Sequence, residues 1–186
     1  MITTLLIIDL QNDYFPGGKN PLVDSTQAAE QARRLLGAFR QNLQPVVYIQ
    51  HLSTRPGATF FVPETPGAEI YPRVQPQDGE LVIQKHYPNS FRETPLLETL
   101  NNLKTRRLVV SGMMTHMCLD ASVRAAVDYG FECWVAGDAC ATKDMTYDGV
   151  HVPAMQVHAS FLAALAAAYA KVIPVEEILA NPSVFD

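Results

Sequence analysis

The 186 residues are 48% hydrophobic and 18% charged, enough apolar material for one substantial core, so a single globular domain over residues 1–186 is expected. With 14 Lys plus Arg against 19 Asp plus Glu, the net charge of -5 leaves no footprint for nucleic-acid phosphates or anionic lipid, and neither partner is expected. Cys118, Cys133 and Cys140 have neither metal-ligand spacing nor the pattern of a disulfide framework, which points to a reducing, cytoplasmic setting.

Met1-Ile2-Thr3-Thr4 leads into a short apolar stretch that already holds Asp9, without the basic start of a signal peptide. β-branched runs then alternate with helical patterns. The candidate strands are Leu5–Ile8, Pro45–Gln50, Leu81–Gln84, Leu108–Ser111, Cys133–Ala136 and Val172–Val175. Between the first two, Ala28, Ala32, Leu35, Leu36, Phe39 and Leu43 recur at helical spacing behind an Asp24 to Gln27 capping box. The stretch Leu52–Glu80, rich in Pro and Gly, has no periodicity and is read as a pocket wall or oligomer arm, with a passive surface loop as the alternative.

Thr94 and Pro95 read as N-cap and N1 of a second helix carrying Leu96, Leu97, Leu100 and Leu103. A third helix is expected from Cys118 to Tyr129, ended by a left-handed Gly130. The fourth spans Val152–Ala170 and includes Phe161–Ala170, the longest apolar segment, about half the length a bilayer needs. Its small residues suit close approach to the sheet or to a partner subunit. Near-continuous apolar strands alternating with helices imply an α/β, three-layer sandwich around a six-stranded parallel sheet.

In such sheets ligands bind beyond the carboxyl ends of the strands. Asp9, Gln50-His51, Lys85-His86, Gly112 and Gly137-Asp138 occupy those ends, with Cys118 expected in a helix's first turn. After the first strand the chain reads Asp9-Leu10-Gln11-Asn12-Asp13-Tyr14-Phe15-Pro16-Gly17-Gly18, which is no dinucleotide fingerprint, and no P-loop follows. A thiol at a helix N-terminus is favoured as thiolate, and nearby backbone N–H groups suit an oxyanion. Buried filler is the other reading of Cys118, and the one preferred for Cys133 and Cys140. Asp9 reads as a base or a turn cap, and Lys85 as an orienting cation or a solvated strand end.

Gly112-Met113-Met114-Thr115-His116-Met117-Cys118, followed by Ala121, Arg124, Ala125, Ala126 and Gly130, resembles the nucleophile motif of the isochorismatase-like cysteine hydrolases. Asp9-Leu10-Gln11 through Phe15 is similar to that superfamily's aspartate motif, and Lys85 with Asn89-Ser90-Phe91 to its lysine motif. The resemblance spans essentially the whole chain. It implies a Rossmann-like sheet of order 3-2-1-4-5-6, an Asp9, Lys85 and Cys118 triad, a cis Met113–Met114 peptide, and an oxyanion hole from the N–H groups of Met114 and Cys118. The Asp-x-His metal element of the superfamily's nicotinamidases is replaced by Gln50-His51-Leu52 and then Ser53-Thr54-Arg55, so no metal and no cofactor are expected.

Gln11, Phe15, His51, Tyr87 and Phe91 flank the motifs as candidate pocket residues for a small, partly planar substrate, although the aromatics equally suit core packing and His51 a structural role. The expected activity is cleavage of a small amide, imide or ureide C–N bond through a thioester. The alternative is a non-catalytic or redox-sensing α/β module that binds a small ligand. A homo-oligomer is implied by the resemblance and the small-residue fourth helix.

Overall fold

The computed structural model describes residues 1–185. β1 (Ile2–Ile8) is buried on both faces, and its side chains alternate between two cores: Leu5 and Ile7 enter one cluster, Leu6 and Ile8 the other. Around it lie β2 (Val46–His51), β3 (Leu81–Lys85), β4 (Thr105–Met113), β5 (Glu132–Ala141) and β8 (Lys171–Ile173), all parallel, in the order β3-β2-β1-β4-β5-β8. Helices α1 (Ser25–Gln41) and α5 (Val175–Leu179) cover the first core, through Ala32, Leu36 and Phe39 and through Val175 and Ile178. Leu96 and Leu100 of α2 (Leu96–Asn102), Val123 and Ala126 of α3 (Asp120–Asp128) and Leu165 of α4 (Ala154–Ala168) cover the second. The expected three layers are therefore present, in the expected strand order.

The sixth sheet strand is β8 because a two-stranded antiparallel hairpin, β6 (Met145–Tyr147) and β7 (Val150–Val152), precedes it. Sequence reasoning missed this hairpin, whose turn residues Asp148-Gly149, both at positive φ (48° and 75°), are the pair that a tight hairpin favours. The last strand is Lys171–Ile173 instead of Val172–Val175, since Pro174 has no N–H for the ladder, and Val175 begins α5.

Three helix starts differ from expectation, the first being α2, which begins at Leu96 with Pro95 and not Thr94 at its N-cap. The Asp24 to Gln27 capping box does not form: Asp24 is left-handed (φ 56°) and its side chain makes no cap bond, because side-chain capping needs an extended residue there. Cys118 is not in the first turn of α3 but in a wide π-helical turn, Thr115–Leu119, that feeds it. The local chemistry otherwise holds. Thr94 Oγ1 accepts the Leu96 N–H (3.3 Å) and donates to the Ser90 carbonyl (2.6 Å), and Gly130 (φ 90°) closes α3 as Phe131 N–H bonds the Ala126 carbonyl. No helix among the described residues is long and apolar enough to cross a membrane.

Candidate active site

Three strand ends and the π-helical turn converge on one point. Asp9 follows β1 in a left-handed conformation (φ 53°), and its N–H bonds the Ile49 carbonyl of β2 at 3.0 Å. Asp is among the few side chains that accept this backbone region. One strand over, His51 and Lys85 are register partners on β2 and β3. From there the Lys85 side chain crosses β2 to put Nζ 2.7 Å from Asp9 Oδ2 and 3.0 Å from His51 Nδ1. Gly112, paired with Ile8, has φ 141°, and a Cβ there would overlap the Ile8 carbonyl, so only glycine lets β4 approach β1 this closely. The next peptide, Met113–Met114, is cis.

The Lys85 and Asp9 side chains are both 0% exposed, so Lys85 is not a solvated strand end. Burial pulls the Lys85 pKa down, but the Asp9 carboxylate and the Cys118 sulfur outweigh it and hold the ammonium above its ordinary value. An ammonium has no lone pair, so it donates to His51 Nδ1 and leaves the imidazole proton on Nε2. Burial, opposed by Asp9 and assisted by Lys85, His86 and Arg55, lowers the His51 pKa to about 4, which makes the ring neutral at neutral pH.

Cys118 Sγ, a carboxylate oxygen of Asp9 and a ring nitrogen of His51 all lie within 4.8 Å of one another. Burial pushes the Cys118 thiol well above its ordinary range, Asp9 pushes it further, and Lys85 only partly opposes them. The sulfur's surroundings are thus set by burial, Asp9 and Lys85, within the π-helical turn and not at the N-terminus of α3. Asp9 Oδ1 has no hydrogen-bond partner, although it is buried. A buried carboxylate oxygen left without a donor is costly, and the nearby S–H is the group chemically suited to fill it.

By distance the three donors would also suit a small cation. Yet Asp9 and His51 are already bonded to the Lys85 ammonium, whose fixed charge repels a second cation. The donor set therefore fits an ammonium better than a metal.

Above Cys118 lies a cavity of about 370 Å³. Tyr14, His51, Met114, Met117 and Cys118 line its base, Ser53 and residues 55–60 of the Leu52–Glu80 loop form one wall, and His86 and Pro88 form another. The loop is thus a pocket wall. Of the five expected pocket residues only His51 lines it. Gln11 spends its amide on backbone, donating to the His51 and Ala68 carbonyls and accepting the His51 N–H. Phe15 stacks on Tyr71 (centroids 3.5 Å apart) and borders a separate cleft of about 580 Å³. Tyr87 lies under the Arg92 guanidinium, and Phe91 packs with Tyr129 and Phe131 in the second core.

Sequence reasoning missed Tyr14, Arg55, Phe60 and Met117, and placed His86 at a strand end without assigning it to the pocket. Tyr14, one residue from the expected Phe15, is the ring turned toward the thiol. Burial, then Cys118, Asp9 and Asp13, raise its hydroxyl's pKa well above the ordinary value.

Fold and site together define a three-layer α/β protein with a buried cysteine, carboxylate and lysine at the carboxyl edge of its sheet. The Isochorismatase domain model matches residues 3–177, and the chain belongs to the isochorismatase family of hydrolases. It is 48% identical to YddQ, an uncharacterised isochorismatase family protein of Bacillus subtilis, over 96% of this chain and 99% of that one. A solved structure from Oleispira antarctica, assigned to the isochorismatase hydrolases, superposes with a TM-score of 0.94 at 51% identity and covers 97% of each chain. A streptothricin hydrolase of Streptomyces noursei is 32% identical over 77% of this chain and 56% of its own length.

Proposed function

We propose that this protein hydrolyses the C–N bond of a small amide, imide or ureide through a thioester on Cys118. The observation that carries the reading is the unsatisfied Asp9 Oδ1 beside the Cys118 sulfur, with Lys85 engaging the other carboxylate oxygen. Asp9 takes the thiol proton as sulfur attacks the carbonyl carbon, and the N–H groups of Met114 and Cys118 receive the oxyanion. The tetrahedral intermediate collapses, the C–N bond breaks, and Asp9 returns the proton to the departing nitrogen. Water, deprotonated by the same carboxylate, then cleaves the thioester to give the acid and the free thiol. Lys85 holds the other Asp9 oxygen in place and steadies the transient thiolate.

Membership of a hydrolase family supports turnover over passive binding. A redox sensor needs an exposed, acidic thiol, whereas Cys118 is 5% exposed with a raised pKa. The decisive experiment incubates purified protein with a panel of small amides, imides and ureides, reads ammonia or amine release, and looks for an acyl adduct on Cys118 by mass spectrometry. Release that disappears in Cys118→Ala supports the reading. Release that persists in Cys118→Ala, with no adduct in the native protein, refutes it.

A homo-oligomer belongs to the same proposal. Helix α4 carries no charged residue, and Met155 (79% exposed) with Tyr147 (83%) and Val150 (62%) of the hairpin leaves an apolar surface suited to a second copy. Sedimentation of the native protein and of Tyr147→Lys tests it, and a monomer at micromolar concentration rejects it.

A further inference from the structure

We propose that the substrate is an anion: Arg55, on the cavity wall above Cys118, binds a carboxylate at the end of the molecule remote from the scissile bond, so the preferred class is a small amide or ureide bearing a free carboxylate. The proposal rests on the hydrolase reading and adds to it the charge of the substrate.

Arg33, Arg34, Arg40, Arg73, Arg92, Arg107 and Arg124 are each ion-paired with an acidic side chain. Arg55 and Arg106 have no such partner among the described residues, and of the two Arg55 lines the cavity that holds the thiol. No carboxylate among the described residues lines that cavity, and Asp9 beneath it is neutralised by Lys85 at 2.7 Å. In a chain of net charge -5, a cavity whose wall carries an uncompensated cation is a local inversion of sign.

The neutral parts of the cavity agree. Ser53 and Thr59 bring hydroxyls to the same wall as Arg55. His86, whose Nδ1 must donate to the Leu52 carbonyl at 2.9 Å, keeps Nε2 without a partner among the described residues. The field of Arg55 reaches the floor, where it helps depress the pKa of His51. A planar guanidinium with its donors free matches a carboxylate in two parallel hydrogen bonds, a geometry that lysine cannot reproduce. The rest of the lining, Tyr14, Phe60, Pro56, Pro88 and Met117, suits a short apolar or planar body between the two polar ends.

The test uses two alkylating reagents alike in reacting carbon and leaving group but different in charge, iodoacetate and iodoacetamide. In both, the Cys118 sulfur forms a bond to the methylene carbon, the C–I bond breaks, iodide leaves, and the thiol proton passes to Asp9 or solvent. Rates at Cys118 in the full-length protein, read by peptide mass, are expressed as the iodoacetate to iodoacetamide ratio and compared with the same ratio for a free small thiol. The ratio at Cys118 is expected to exceed that of the free thiol about 10-fold, to collapse toward it in Arg55→Gln, and to recover only partly in Arg55→Lys.

In turnover, Arg55→Gln is expected to raise KM for a carboxylate-bearing amide about 10-fold more than for its neutral isostere. A native ratio equal to that of the free thiol, or one that Arg55→Gln leaves unchanged, overturns the anion site and leaves the hydrolase reading standing. If neither reagent labels Cys118 in the folded protein, the hydrolase reading falls, and the anion site falls with it.

Discussion

The floor and the wall of the cavity treat charge in opposite ways. Just beneath the floor, Asp9 and Lys85 are both 0% exposed, bonded at 2.7 Å, and held by strands whose backbones are locked in register. On the wall, Arg55 is exposed and unpaired among the described residues, on a loop whose nearby anchor is the bond from Ser53 N–H to the Phe61 carbonyl. Buried charges must be satisfied by the protein itself because no solvent is there to do it, whereas an exposed charge keeps its hydration until a ligand replaces it. The difference separates two tasks: reactivity is built where nothing can move, and recognition where a side chain can adapt.

The largest expected effect breaks the floor. Cys118→Ala should lower amine release by about 10⁴-fold or more with the fold intact, read by turnover alongside circular dichroism. Next in size, Lys85→Ala strands the Asp9 carboxylate without its cation and should cost about 3–5 kcal/mol of stability in urea unfolding. The double variant Asp9→Asn with Lys85→Met should recover much of that loss while remaining inactive, which separates the burial of charge from its use.

A smaller effect loosens the wall. Asp13 is buried and accepts the N–H of Phe61 (2.7 Å) and of Lys19 (3.0 Å), so it ties the loop to the turn after β1. Asp13→Ala leaves the buried Phe61 donor unpaired and should cost about 1–3 kcal/mol in thermal unfolding. It should also raise KM more than it lowers kcat, because the wall shifts while the floor stays.

The smallest effect is one of pH. Burial lowers the pKa of His51 to about 4 and also depresses His116 and His158, each from an ordinary 6.5. Below 6.5 the unfolded chain takes up protons that the folded one refuses. Their contribution to stability is therefore complete above about pH 6.5 and drains as pH falls, for His51 down to about 4. Thermal melts across that window should show a falling midpoint, and His51→Gln should flatten the slope.

Much of the fold was legible in the sequence. Runs such as Leu5–Ile8 and Leu108–Ser111 are apolar on both faces, a pattern that only a doubly covered strand satisfies, and Gly130 and Thr94 mark helix ends with local chemistry that the structure retains. The strand-end rule brought Asp9, His51, Lys85 and Cys118 to one edge of the sheet. It did not sort the residues around them. Gln11, Phe15, Tyr87 and Phe91 sit beside the motifs in sequence but turn away from the thiol, because neighbours along a turn point in different directions.

Sequence alone determined the layers, the strand alternation and the chemical types gathered at the carboxyl edge, since these follow from hydrophobic period and from connections that must cross over. Only the tertiary structure decided that Lys85 spans β2 to reach Asp9, that burial raises the Cys118 pKa, and that Arg55 lines the same cavity. Those outcomes depend on distance and on exclusion of water between segments far apart in the chain, and neither quantity is carried by local pattern.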